Sequence, residues 1–184
     1  ITVANVNYPP VLAAIGEKSV TEGQILNFVA SATDPNGTIP TMTAINVPVN
    51  ATFVNNGNGT GTFNFAPSFT QASVYNVTFI ASDGFLADSE VVAITVIEAG
   101  NQRPVLATIG PRSVNENANL NFSASATDPD GTIPTMTAVS VPVNATFVNN
   151  GNGTGTFNFS PSFTQAGVFS VTFIASDGAL ADSE

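Results

Sequence analysis

The chain has 184 residues, of which 43% are hydrophobic and only 9% charged. Thirteen acidic side chains stand against Lys18, Arg103 and Arg112, so the net charge of -10 excludes the basic footprint that nucleic-acid binding requires. Cysteine and histidine are absent, which excludes a disulfide framework, a thiolate metal site and an imidazole base.

Short β-rich runs recur about every ten residues with turn residues between them, the pattern of an all-β sandwich or barrel. In chain order the predicted strands are A at 11–20, B at 24–32, C at 41–47, D at 51–55, E at 60–65, F at 74–82 and G at 89–97. Strand B puts Leu26, Phe28 and Ala30 on one face, and strand F does the same with Tyr75, Val77, Phe79 and Ala81. Strand G carries Val92, Ile94 and Val96 in the same register, so a module without it leaves an apolar groove beside strand F. Between D and E, Asn56, Gly57, Asn58 and Gly59 suit the positive φ angles of a tight hairpin. A short linker then runs from Glu98 to Pro104, and Pro104 holds the residue before it extended.

From there the pattern repeats. Residues 33–72 and 127–166 differ at four of forty positions, a period of 94. Ile1, Thr2 and Val3 repeat Ile94, Thr95 and Val96 of strand G, whereas Glu184 corresponds to Glu90. The expected organisation is therefore a last strand of a preceding module, or a donor strand, at 1–6, a repeat at 7–100, and a second repeat at 101–184 missing its final strand. About seven strands per repeat suggest tandem immunoglobulin-like or cadherin-like antiparallel β-sandwiches. Core packing accounts for Phe53, Phe63, Phe65, Phe69 and Phe79 and their repeats Phe147, Phe157, Phe159, Phe163 and Phe173.

Alternating strand direction places Asp34 and Asp83 at the end of the sandwich where the linker arrives with Asn7, and Glu22 at the opposite end. Two stacked modules would bring Glu22, Glu98 and Asn101 toward Asp128, Asp130 and Asp177. Such an oxygen set suits Ca²⁺, which takes about six to eight oxygen ligands. The alternative is that Asp-Pro-Asx-Gly is a turn, Asp capping its own backbone and Gly supplying the positive φ.

The segments Ala32-Thr33-Asp34-Pro35-Asn36-Gly37 and Ala126-Thr127-Asp128-Pro129-Asp130-Gly131 resemble cadherin-like and Ig-like repeats of microbial surface proteins. So do Ala81-Ser82-Asp83-Gly84, Ala175-Ser176-Asp177-Gly178, the glutamates Glu22 and Glu116, and the Asn-x-x-Pro linkers. The resemblance implies junction Ca²⁺ held by Glu22, Asp128, Asp130 and Asp177, with Asp34 and Asp83 serving the preceding junction.

Eight Asn-x-Ser/Thr sites allow a glycan coat. Loop positions Asn58 and Asn152 are better acceptors than the strand positions Asn76 and Asn121; Asn36, Asn50 and Asn144 are further candidates. The carboxylate pairs Asp83/Asp88 and Asp177/Asp182 are the remaining catalytic option, but both lie beside a turn and an entering strand, and no enzyme is expected. Lys18 reads as an ordinary solvated lysine, since Arg112 replaces it in the second repeat.

The function these features predict is a structural segment of an extracellular, cell-surface filament, stalk or adhesin. Its partners are neighbouring modules or copies, with Ile1, Thr2 and Val3 able to donate a strand to another copy's second repeat. Neither nucleic acid nor a membrane span is expected. The alternative is a Ca²⁺-dependent adhesive module, or an accessory domain recognising a protein or glycan.

Overall fold

The computed structural model describes all residues from Ile1 to Glu184 and contains strands, turns and no helix. No helix long and apolar enough to cross a membrane exists. The backbone forms two compact units, Ile1–Ala99 and Gly100–Glu184.

In the first unit the strands are β1 (Val11–Leu12), β2 (Lys18–Thr21), β3 (Leu26–Thr33), β4 (Thr41–Ile45), β5 (Ala51–Asn55), β6 (Thr60–Phe65), β7 (Ser73–Ser82) and β8 (Ala87–Ile97). They make two four-stranded sheets, β1-β3-β6-β5 and β2-β8-β7-β4. Ala30, Phe63 and Phe65 from one sheet meet Met42, Val77, Phe79, Val92, Ile94 and Val96 from the other, and this buried set is the core. Strict alternation of apolar and polar residues forces that outcome, because every second side chain of a strand faces the same way. Phe28, Phe53, Phe63 and Phe79 pack ring to ring, with Phe53 edge-on to Phe79 at a centroid distance of 5.3 Å.

Strand A of the sequence reading is two strands. Its first part, β1, pairs antiparallel with β3, and its second, β2, runs parallel to β8 in the other sheet. The crossing at residues 13–17 takes a positive φ at Gly16 and is held by carboxylates of β8. Glu90 accepts from the N–H groups of Ile15 (2.7 Å) and Gly16 (2.8 Å), and Asp88 from Leu12 (2.8 Å). Propensity along residues 11–20 is uniformly extended, so nothing local marks the change of sheet; the marker is a pair of acids some 75 residues away.

Gly61 on β6 makes room for an aromatic ring: a Cβ there would lie 2.1 Å from Phe53 Cζ. Across the tip, Asn55 Oδ1 accepts from Gly57 N–H and Asn58 Oδ1 from Thr60 N–H, with Gly57 and Gly59 at positive φ. The Asn-Gly run is thus the β5–β6 hairpin that its composition predicts.

The second unit repeats this plan with β9 (Val105–Leu106), β10 (Leu120–Thr127), β11 (Thr135–Val139), β12 (Ala145–Asn149), β13 (Thr154–Phe159), β14 (Thr172–Ser176) and β15 (Ala181–Ser183). One sheet, β9-β10-β13-β12, matches its counterpart strand for strand, but the other has only β11-β14-β15. In the first unit residues 73–77 pair with β8 alone, over Val92 to Val96, and β2 likewise has no partner but β8. The second unit has only three residues of that strand. Accordingly, residues 167–171 and 112–115, which would pair with its missing part, carry no ladder.

Candidate functional site

Two places carry the polar and apolar groups left over after folding. The first is the rim at one end of each sandwich. In the first unit Asp34 follows β3 and Asp83 follows β7, and the incoming chain crosses between them. Asn7 Nδ2 donates to Asp83 Oδ2 (2.7 Å), Asn36 Nδ2 donates to the Val6 carbonyl (2.9 Å), and Tyr8 N–H donates to Asn36 Oδ1 (2.8 Å). Asp83 Oδ1 also accepts from the N–H groups of Phe85 and Leu86, each at 2.7 Å. The second unit reproduces this: Asn101 Nδ2 donates to Asp177 Oδ2 (2.8 Å), and Gln102 N–H donates to Asp130 Oδ2 (2.5 Å).

Asp34 and Asp128 each close an Asx turn, Oδ1 accepting from the N–H of Asn36 and Asp130. Their other oxygens, with Asp130 Oδ1, are buried and have no hydrogen-bond donor. No three acidic residues group closely enough to hold a metal on carboxylates alone.

Leu86 N–H, then Phe85 N–H and the Asn7 amide, hold the Asp83 carboxyl below its ordinary 3.8. For Asp177 the causes are Leu180 N–H, the Asn101 amide and Ala179 N–H. A lowered folded value means these bonds stabilise the rim fully above 3.8 and lose their effect as pH falls through the lower folded value. We expect melting temperature to decline with acidification below pH 3.8, and Asp83→Asn to remove part of that decline; thermal melts in a pH series read both.

At the opposite end of the first unit, Glu22 is 2% exposed. Its Oε1 accepts from Gln71 N–H (2.7 Å), its Oε2 from Ala99 N–H (3.4 Å), and its own N–H donates to the Ile97 carbonyl (3.0 Å). The counterpart Glu116 is exposed, and the donor that reaches it is Ala166 N–H at Oε1 (2.9 Å). Glu98 is exposed.

The second place is a groove in the second unit of about 1020 Å³, bounded by Ile109, Val114, Phe122, Phe159, Phe169 and Phe173. It lies where Val92, Ile94 and Val96 pack in the first unit. A further difference sharpens it. Phe69 lies over Gly23, where a Cβ would come within 2.6 Å of its ring; Asn117 occupies the Gly23 position, and its partner Phe163 is turned out to 72% exposure.

Ile1, Thr2 and Val3 are exposed and carry no ladder. Of the glycan candidates, Asn58 and Asn152 cap their hairpins through Oδ1. Asn50 and Asn144 sit at φ 67°, their amides donating to Gln71 and Gln165, and the Asn36 amide holds Val6. The clamps Asp88, Glu90, Asp182 and Glu184 were not singled out for this role by sequence reasoning. In the second unit Leu106 N–H donates to Asp182, and Ile109 and Gly110 N–H groups donate to Glu184. The recurring Asp-Ser-Glu was the available signal.

Paired sheets, a split first strand and rim loops after β3 and β7 define tandem immunoglobulin-like modules. The chain belongs to the bacterial Ig domain family, which matches residues 7–95 and 101–184. It is 31% identical over 113 residues to chitinase A of Pseudoalteromonas piscicida, covering 61% of this chain and 14% of that protein. The endo-fucoidan hydrolase MfFcnA4 of glycoside hydrolase family 107 is similar in fold at a TM-score of 0.50 and 21% identity, over 95% of this chain and 27% of that one. The Ig1-2 module of Drosophila receptor protein tyrosine phosphatase DLAR aligns over 96% of this chain and 95% of its own, at 14% identity and a TM-score of 0.41. This chain thus spans a minor part of the two hydrolases. Ig-like modules of this kind are typical of extracellular proteins and usually non-catalytic.

Proposed function

We propose that the chain is a spacer segment of an extracellular bacterial protein, a stretch of stacked modules that sets the distance between functional parts. One observation carries this: residues 33–72 and 127–166, loops included, are nearly the same. Recognition calls for a distinctive surface on one module, and copied loops give none; addition of like modules gives length. Within this reading the groove of the second unit is filled by a strand of the β8 pattern. The backbone following Glu184 in a longer chain supplies it, or, in a homopolymer, Ile1, Thr2 and Val3 of another copy do so.

Calcium at the rims belongs to the same proposal. The unpartnered oxygens of Asp34, Asp128 and Asp130 are hard anionic donors in a buried setting, the kind a divalent cation neutralises. Millimolar Ca²⁺ is expected to raise the melting temperature reversibly on chelation, and indifference would remove the ion while leaving the spacer.

A second reading, an accessory module of a secreted polysaccharide hydrolase, is favoured by the likeness to chitinase A. Retention on insoluble chitin separates the two. A spacer passes through, and its hydrodynamic length grows in proportion as copies of residues 7–100 are added; saturable retention of this 184-residue chain would overturn the spacer in favour of binding.

A further inference from the structure

We propose that the charge-free side of each sandwich, the outer edge of β5 in the first unit and of β12 in the second, pairs edge to edge with the same strand of another copy of this chain. The contact joins copies side by side, and it holds for a spacer and for an accessory module alike.

Charge is distributed unevenly around the sandwich. No charged residue occurs from Pro35 to Ser82 or from Gly131 to Ser176, so β4, β5 and β6 and their repeats β11, β12 and β13 carry none. On one side of the first unit the edges are β1 and β2, and both are guarded against pairing by short length, charge or proline. There β1 has two residues and follows Pro9 and Pro10, β2 carries Lys18, and Asp88 and Glu90 take up the N–H groups of Leu12, Ile15 and Gly16. The other side presents β4 and β5 next to each other, with neither charge nor proline in either strand.

The free groups on β5 follow from its hydrogen-bond register. Asn56 N–H donates to the Thr60 carbonyl (2.9 Å) and Ala66 N–H to the Asn50 carbonyl (3.1 Å), one pair beyond each end of the β5–β6 ladder. Bonded and non-bonded pairs alternate in an antiparallel ladder, so Thr52 and Val54 turn their backbone groups to β6, whereas Ala51, Phe53 and Asn55 turn theirs outward. Ala51 N–H is taken by the Pro48 carbonyl (3.1 Å); the N–H and C=O groups of Phe53 and Asn55 face the open edge. Asn150 N–H on Thr154 and Ser160 N–H on Asn144 set the same pattern for Phe147 and Asn149.

A second copy fits this edge because antiparallel pairing about a two-fold axis needs only the strand itself. Centred on Phe53, it sets that residue against Phe53 of the second copy, Ala51 against Asn55, and Thr52 against Val54. Each chain has a net charge of -10, and on this side two copies meet without opposing carboxylates. The outer face behind the edge is uncharged as well: Thr52 adjoins Asn64 and Asn27, and Val54 adjoins Thr62 and Val29.

The test is sedimentation of the full 184-residue chain over a concentration series, with hydrogen exchange on dilute and concentrated samples. Concentration-dependent association is expected, with new protection at the amides of Phe53, Asn55, Phe147 and Asn149 and little change at Thr52 and Val54, which β6 already holds. That alternation marks an added strand. Val54→Glu with Val148→Glu, at positions 57% and 55% exposed on the edge strands, puts like charges on diagonal neighbours across the pair and is expected to weaken association about tenfold or more. Val54→Thr with Val148→Thr keeps the edge uncharged and is expected to associate like wild type. Val29→Glu with Ser123→Glu lies on the same outer face but two strands in from the edge, and is expected to leave association near wild type; circular dichroism checks that the variants fold. A chain that stays monomeric at every concentration overturns the proposal. So does association without protection at Phe53 and Asn55, or association that the Val29→Glu pair abolishes and the Val54→Glu pair does not, since faces rather than edges would then be in contact.

Discussion

Replacing Phe79 by alanine lowers the stability of the first unit by about 3–5 kcal/mol. The ring is 0% exposed at the centre of the aromatic group, with centroids 5.3 Å from Phe53 and 5.6 Å from Phe28 and Phe63. It also stands on β7, which is hydrogen-bonded on both sides by β4 and β8. Neither sheet can close over the space without breaking a ladder, so the cavity persists and adds its own cost to the lost burial. Phe173 holds the same place in the second unit but is 6% exposed and borders the groove. Phe173→Ala therefore costs less, since part of the packing is already missing. The chain offers a clean readout: its two tyrosines, Tyr8 and Tyr75, both lie in the first unit. Tyrosine fluorescence in urea should show the earlier transition in Phe79→Ala and stay near wild type in Phe173→Ala.

The second large effect is at the buried acid. Glu22→Ala strands the N–H groups of Gln71 and Ala99 in a site with 2% exposure. At about 1–3 kcal/mol for each buried unsatisfied group, the loss is about 2–6 kcal/mol. Glu116→Ala, the same residue one repeat later, costs less than about 1 kcal/mol, because its environment is open and water replaces the carboxylate. The contrast follows from β8 alone: the first unit has the strand whose end covers Glu22. Were the two substitutions equal in cost in urea titrations, the covering strand would not be what gives Glu22 its weight.

Both effects turn on features that differ in how readable they were. Strands β5 and β6 end where alternation and the Asn-Gly hairpin place them, since two-residue periodicity and positive-φ residues are local properties. Val92, Ile94 and Val96 show their shared face directly in the sequence, and they are buried together. The split of strand A was hidden, because Ala13 and Ile15 look equally extended in either sheet and the choice is made by Asp88 and Glu90. Glu22 reads in the sequence as an acid of the A–B turn and a Ca²⁺ ligand candidate; that its carboxylate takes the N–H groups of Gln71, ahead of β7, and Ala99, beyond β8, depends on segments 49 and 77 residues away. The unpartnered oxygen of Asp34 was also out of reach: an Asx turn uses one carboxylate oxygen, and the surroundings of the other depend on how the rim folds.

Periodicity, turn chemistry and the 94-residue repeat were enough to give an all-β tandem sandwich with its core stripes, because those features come from how side chains alternate along one strand. Which sheet a short strand joins, which acids clamp the backbone, and which segments lose their order when one strand is short depend on partners about 75 residues away. Hydrogen bonding between strands is satisfied across space, and a segment with two possible neighbours takes the one the whole fold brings to it.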